Sequence, residues 1–265
     1  MLSLLTAEKS FDDPWVGSTW LNKKLHLHAL RIRLAASCAQ LRAARAQRSA
    51  APPRVLEAAA RLADEGCCSL PHALPDALFA PLAAEAPSAE AVDAARRALA
   101  PILDNIARRA IGRPFPMETA ALSRCECAVP PPKAAAAQEL WHRDAFCPGL
   151  RFWLTLTPVT AADGPLLYMP GSHRLSAERL EWEEMVARRC ASLRGATLNK
   201  SGRFLMSDVE ARRLGGVPER FTAEPNTLIV INTFGIHARM LAERTGTRRA
   251  LQGRYTPPPF ATWAG

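Results

Sequence analysis

In this 265-residue chain, a histidine and an aspartate stand two positions apart within the stretch 141–144, WHRD. Both residue types can bind a metal ion. If this stretch is extended, His142 and Asp144 point to the same side, because side chains alternate along a strand. His237, which follows the apolar run Leu228–Asn232, is the candidate third ligand. Two imidazoles and one carboxylate form the facial triad of non-haem iron(II) oxygenases, whereas zinc on the same residues would indicate hydrolysis.

Arg248 stands eleven residues after His237, where the stretch 248–255 reads as another strand. A buried arginine there can bind the far carboxylate of 2-oxoglutarate through two parallel hydrogen bonds, which favours iron over zinc. The alternative is that Arg248 and Arg249 are surface charges on an edge strand. Because neighbouring strand residues face opposite ways, only one of them can point inward, and we expect it to be Arg248.

The elements that must position these residues differ on the two sides of Pro114. Short apolar runs separated by turns follow it, and they predict the strands of a sandwich or barrel. These runs are Glu126–Val129, Leu150–Leu156, Pro165–Met169, Thr227–Asn232 and Ala250–Tyr255. Segments rich in Ala, Leu and Arg predict helices at Val55–Leu62 and Ala89–Arg109. A charged segment at about 174–222, helical at Ala177–Ala191, is interpreted as an insertion between strands.

The N-terminal part is basic, with eight Lys or Arg residues and no Asp or Glu between Pro14 and Leu56. An apolar face recurs there at spacings of three and four, which predicts an amphipathic helix. Its members are Leu27, Leu30, Leu34, Cys38 and Leu41. Such a helix either lies on an anionic membrane or packs on the main domain with its basic face in solvent. We therefore separate a basic, partly helical extension, residues 1–54, from a main domain, residues 55–265.

Composition narrows the classes of partner. A net charge of +9 favours anionic substrates or surfaces, while 6% aromatic residues and no recognition motif disfavour nucleic acid. Seven cysteines without paired spacing indicate reduced thiols in a cytoplasmic protein. We expect no signal peptide and no membrane span, because no apolar stretch approaches 18 residues.

Four segments taken together resemble the phytanoyl-CoA dioxygenase family in order and spacing. They are His142-Arg143-Asp144, the run 163–174 (DGPLLYMPGSHR), His237 and the run 248–251 (RRAL). Residues 61–71 (RLADEGCCSLP) also resemble the family's opening segment, so the similarity extends over about residues 56–258.

This resemblance implies an α+β chain with a mainly β core, a double-stranded β-helix (jelly roll, cupin-like) flanked by N-terminal helices. It implies that His142, Asp144 and His237 bind Fe(II) and that Arg248 anchors 2-oxoglutarate. Trp153 falls where the family often has a tryptophan lining the cosubstrate pocket, although a core aromatic on a strand is an equal alternative. His173 is interpreted as a structural residue of its Pro-Gly-Ser-His turn.

Two positions depart from the family pattern. Pro225-Asn226 replaces a Gly-Asp pair and still predicts a turn. Arg239 replaces the small or hydroxyl residue two positions after the distal histidine, which puts in doubt a hydrogen bond to the cosubstrate and could place a cation near the substrate. Asp144 is intact, whereas relatives that halogenate have a small residue there, so hydroxylation is favoured over halogenation.

The implied function is hydroxylation of an unactivated C–H bond, dependent on Fe(II), 2-oxoglutarate and O2. The substrate is expected to be a small molecule, or a lipid- or glycan-linked one, and anionic. Residues 15–50 are a candidate contact to an anionic inner-membrane surface. Desaturation, epimerisation or cyclisation would need the same ligands; the rivals are a non-catalytic jelly-roll binding module and a zinc hydrolase. Specificity is expected in the loops 129–140 and 174–222.

Overall fold

Two antiparallel sheets of five strands each form the centre of the computed structural model, which describes residues 18–46, 50–127, 129, 141–192, 204–258 and 260. The strands are β1 (Cys67–Leu70), β2 (Ala121–Cys127), β3 (Trp141–Arg143), β4 (Leu150–Thr155), β5 (Leu166–Tyr168), β6 (Phe204–Met206), β7 (Glu219–Phe221), β8 (Leu228–Asn232), β9 (His237–Arg239) and β10 (Gly246–Tyr255). In space the first sheet runs β1-β8-β4-β10-β2 and the second β6-β3-β9-β5-β7. The predicted mainly β jelly-roll core with flanking helices is confirmed, although the sheets do not close into a barrel.

Helices pack on both sheets. The helices are α1 (Thr19–Lys24), α2 (Leu27–Arg45), α3 (Pro53–Glu65), α4 (Asp76–Ala83), α5 (Ala89–Ile111), α6 (Ala177–Ser192) and α7 (Asp208–Gly215). Helices α3, α4 and α5 pack on the first sheet, and α6 and α7 pack on the second. On β4, Leu150, Phe152 and Leu154 are buried against α3, α4 and α5. The alternating residues Arg151 and Trp153 face the space between the sheets. This alternation gives each strand one face for the core and one face for a cavity.

Several strand boundaries differ from those that the sequence predicts. Strand β2 begins five residues before Glu126, and β10 begins at Gly246, so that Arg248 lies within the strand and not at its start. The segment 174–222 is only partly an insertion, because it supplies β6 and β7, the two edge strands of the second sheet. Strands of three residues have too few positions for an alternating pattern to show.

The N-terminal helices pack on the rest of the chain, and of the leucines on the predicted apolar face only Leu27 is buried. Helix α2 contacts α5 and α6, and α1 contacts α6. The buried face of α2 includes His28, Arg31 and Ile32, whereas Leu30 and Leu34 are 45% and 38% exposed. The structure thus supports the docked-helix interpretation for this buried face.

The described cysteines, Cys38, Cys67, Cys68, Cys125, Cys127 and Cys147, carry free thiols. This agrees with the reduced state expected from their irregular spacing. Within the part of the chain that the structure describes, no helix is long and apolar enough to cross a membrane.

Candidate metal centre and cavity

Three predicted ligands meet between β3 and β9 in the second sheet. His142 on β3 lies directly opposite His237 on β9, and Asp144 follows β3 with its N–H donating to the Thr233 carbonyl. The Asp144 Oδ1 atom is 3.7 Å from His142 Nε2 and 3.8 Å from His237 Nε2. One ligand atom from each residue lies within 4.8 Å of the others, so a single metal ion can contact all three.

Local contacts present His237 in the form that binds a metal. Its Nδ1 atom lies 3.0 Å from the Gly235 carbonyl oxygen, so Nδ1–H donates there and Nε2 carries the lone pair. The Tyr168 ring stacks on this imidazole at 6.4 Å between centroids. Burial, and then the neighbouring His142, lower the pKa of His237 to about 3. His237 is therefore neutral at pH 7, as a metal ligand must be.

The two oxygens of Asp144 face different groups. While Oδ1 faces the two imidazoles, Oδ2 lies 3.8 Å from Arg254 Nη1. Arg254 stands six residues after Arg248, so both belong to the same face of β10. Sequence reasoning missed Arg254, although this even spacing from Arg248 is a signal that could have found it.

Arg143, between two predicted ligands, turns away from them into a buried ionic cluster. It donates two hydrogen bonds of 2.9 Å to Glu183 on α6, and Arg179 and His28 contact the same carboxylate at 3.0 Å. Burial alone would raise the pKa of Glu183, but the charges of Arg143 and Arg179 hold this pKa well below its usual value. Burial lowers the pKa of His28 to about 4. The cluster connects β3, α6 and the N-terminal helix α2.

A cavity of about 390 Å³ opens beside the metal site. Its described lining residues include His142, His237, Trp153, Arg248 and Gln252, and none of the described lining residues is Asp or Glu. Trp153 therefore lines the cavity. The Arg151 guanidinium lies over the Trp153 ring, 4.7 Å from its centroid, and donates a hydrogen bond to Gln252 Oε1.

Arg248 and Arg249 point in opposite directions, as their neighbouring positions on β10 require. Arg248 Nη1 donates to the Gly164 carbonyl at 2.8 Å on the cavity side, and its buried Nε has no hydrogen-bond partner among the described residues. The Arg249 side chain instead reaches the Ala83 carbonyl at the end of α4. Both residues line the described cavity, but the Arg249 guanidinium is held by the Ala83 and Ala84 carbonyls, so Arg248 is the candidate ligand-binding arginine of the two.

Other predicted positions have structural roles. The His173 imidazole contacts the Ala63 carbonyl and lies apart from the metal site. Asn226 has a positive φ of 64° in the predicted turn, and its side chain forms two hydrogen bonds to the backbone of Leu74. Both residues fix connections between the helices and the sheets.

A second group of potential ligands, Glu65, Cys67 and Glu219, lies where the end of α3 meets the first residues of β1 and β7. Arg61 donates to both carboxylates at 2.7 Å, so their charge is already compensated. This group is better described as an ion-pair network than as a metal site.

One family model matches part of this chain. The model of the phytanoyl-CoA dioxygenase family, "Phytanoyl-CoA dioxygenase (PhyH)", matches residues 75–189, which include His142 and Asp144. A search of curated proteins by sequence found no match.

Three solved structures illustrate the structural similarity. AviO1 from Streptomyces viridochromogenes Tue57 is 14% identical, over 79% of this chain and 97% of that one, with a TM-score of 0.49. The "non-heme alpha ketoglutarate dependent carbocyclase SnoK from nogalamycin biosynthesis" is 16% identical, over 78% and 87%, with a TM-score of 0.47. EctD from S. alaskensis with bound Fe is 15% identical, over 80% of both chains, with a TM-score of 0.47.

Proposed function

We propose that the chain is a member of the phytanoyl-CoA dioxygenase family, whose model matches residues 75–189, and that it is an Fe(II)- and 2-oxoglutarate-dependent oxygenase that hydroxylates a small molecule. The observation that carries the proposal is that His142, Asp144 and His237 converge beside a cavity that also contains Arg248. When bound, iron and 2-oxoglutarate use O2 to generate an oxidant that removes hydrogen from an unactivated C–H bond, with loss of CO2 and formation of succinate.

The three ligands suit Fe(II) by number, type and protonation. Two neutral imidazoles and one carboxylate on one side of an ion leave its other side open, which a chelating 2-oxo acid and O2 require. His237 is held in its ligating tautomer by Gly235, and the backbone of Asp144 is fixed by Thr233. Arg254, next to Oδ2 of Asp144, orients this carboxylate so that Oδ1 faces the metal position.

Arg248 is the anchor proposed for the far carboxylate of 2-oxoglutarate. Its guanidinium is held in the cavity by the Gly164 carbonyl and offers its remaining N–H groups to a planar anion. Ile229, Leu166 and Phe221 provide apolar walls. These walls limit the access of water to the reacting centre.

The reaction type and the substrate are proposals at a finer level. The carboxylate ligand Asp144 supports hydroxylation over halogenation, because a bound carboxylate takes the place that a halide would need. Desaturation, epimerisation and cyclisation use the same ligands and depend on how a substrate lies against the metal. The excess of arginine in the cavity supports an anionic substrate. A lipid- or glycan-linked substrate, and membrane contact through residues 15–50, stay predictions.

Anaerobic binding followed by exposure to O2 tests the proposal. Fe(II) and then 2-oxoglutarate are titrated into the protein by calorimetry, after which O2 is admitted and succinate is measured. We expect 2-oxoglutarate to bind only after iron, and succinate to form only with O2. Arg248→Gln should weaken 2-oxoglutarate binding at least about tenfold, or about 1.4 kcal/mol, whereas the matched Arg249→Gln should not.

The alternatives give different results in the same experiment. A non-catalytic binding module would bind no iron and form no succinate. A zinc hydrolase would retain zinc, and its activity would not depend on O2. Weakened 2-oxoglutarate binding in Arg249→Gln, with Arg248→Gln unaffected, would contradict the orientation of β10.

A further inference from the structure

Arg239 lies two residues after His237 on β9, and it is an exposed residue that lines the cavity. Its Nη1 and Nη2 atoms donate to the thiols of Cys125 and Cys127 on β2, at 3.2 and 3.4 Å. The guanidinium therefore crosses from the second sheet to the edge of the first. It reaches the part of the cavity where Arg248 is found.

Arg239 and Arg248 are close neighbours because they contact the same sulfur atom. Arg239 Nη1 is 3.2 Å and Arg248 Nη2 is 4.0 Å from Cys125 Sγ. The two nitrogens are thus at most 7.2 Å apart, the sum of these distances. Two guanidinium groups at such a separation can bind the two oxygens of one carboxylate placed between them.

The contacts of this arginine pair hold the groups in position without neutralising them. A thiol is a weak, neutral acceptor, and the remaining contact of Arg248 is a backbone carbonyl. The buried Nε of Arg248 has no hydrogen-bond partner among the described residues. Two like charges this close repel each other, so the arrangement favours an anion between them.

We propose that Arg239 is a second cosubstrate-binding residue, which binds the far carboxylate of the 2-oxo acid together with Arg248. This inference rests on the proposed function. Arg239 then sets selectivity for a dicarboxylic 2-oxo acid over one that lacks the far carboxylate. On this proposal the charge of Arg239 faces the cosubstrate, which differs from the expected position near the substrate.

A ligand that lacks only the far carboxylate makes the test specific. Under argon, 2-oxoglutarate and 2-oxovalerate, which has the same chain length and ends in a methyl group, are titrated into the Fe(II)-loaded protein. We expect Arg239→Gln to raise the Kd of 2-oxoglutarate about tenfold and to change the Kd of 2-oxovalerate less than about twofold. Arg239→Lys, which keeps the charge, should recover part of the loss. Arg212→Gln is the control, because Arg212 is exposed, pairs with Asp208 on α7 and is not among the described residues that line the cavity.

Each other outcome overturns the inference. If Arg239→Gln weakens the binding of both acids equally, Arg239 only stabilises the packing of β9 on β2. A lower melting temperature should accompany that result. If it weakens neither acid, Arg239 does not contact the cosubstrate. If the wild-type protein binds neither acid in the presence of iron, the proposed function itself is wrong and the inference fails with it.

Discussion

The buried carboxylate of Glu183 should be essential to stability, and Glu183→Gln tests this with little change of shape. Glu183 is 0% exposed and receives hydrogen bonds of 2.9–3.1 Å from Arg143 and Arg179. Glutamine keeps one acceptor oxygen but presents an NH2 group to a donor and leaves two buried guanidinium groups without a counter-charge. Removing one partner of a buried ion pair costs about 3–5 kcal/mol.

For a domain of this size, such a loss lowers the melting temperature by roughly 6–20 °C. Thermal unfolding followed by circular dichroism measures this change. The matched control is Glu184→Gln, one residue further along α6. Glu184 pairs with His26 and Arg188 at the surface, and such pairs contribute about 1 kcal/mol or less.

Equal, small changes in the two variants would refute the reasoning. That result would mean that water or a rearranged side chain compensates the charge of Arg143 and Arg179. It would also weaken the view that this cluster holds α2 and β3 together.

Three further predictions concern the ligands, the pH response and the N-terminal helices. His142→Ala, Asp144→Ala and His237→Ala should each abolish iron-dependent succinate formation while preserving the circular dichroism spectrum, and turnover in any two of them would disprove the ligand assignment. The folded-state pKa of His28, about 4, lies below its ordinary value of 6.5, so the folded state binds fewer protons and its stability falls as pH drops from 6.5 towards 4. The lowered pKa of His237 also makes stability fall with falling pH. The test therefore compares how the free energy of unfolding, measured by chemical denaturation, depends on pH in the wild type and in His28→Gln. The same pH dependence in both proteins would contradict the prediction. Deleting residues 1–50 should destabilise or unfold the protein; a deletion variant that keeps its melting temperature but no longer sediments with anionic vesicles would favour the membrane prediction instead.

The convergence of His142, Asp144 and His237 and the jelly-roll core could be predicted because each depends on local signals. His142 and Asp144 are two residues apart on one strand, and the runs around Phe152 and Val230 are apolar enough to mark buried strands. Strand alternation predicted that only one of Arg248 and Arg249 points inward, and the family resemblance indicated Arg248. The proximity of His237 to the other two ligands needed the order of segments typical of the family.

The features that sequence reasoning missed depend on contacts between distant segments. Glu183 brings together His28, Arg143 and Arg179 from three elements, and no spacing in the sequence links them. The apolar stripe of α2 was misassigned for the same reason. Arg31 is buried over the ring of Phe146, so the buried face follows its partners and not hydropathy.

The alternation along β4 and β10 makes the cavity open to redesign without disturbing the fold. Trp153 and Gln252 lie opposite each other and face the cavity, whereas Phe152 and Leu251 face the helices. A mutant library confined to the cavity-facing positions would change the volume and polarity offered to a substrate while the helix-facing core stays intact. The same chain could in this way be adapted to accept new substrates at little cost in folding.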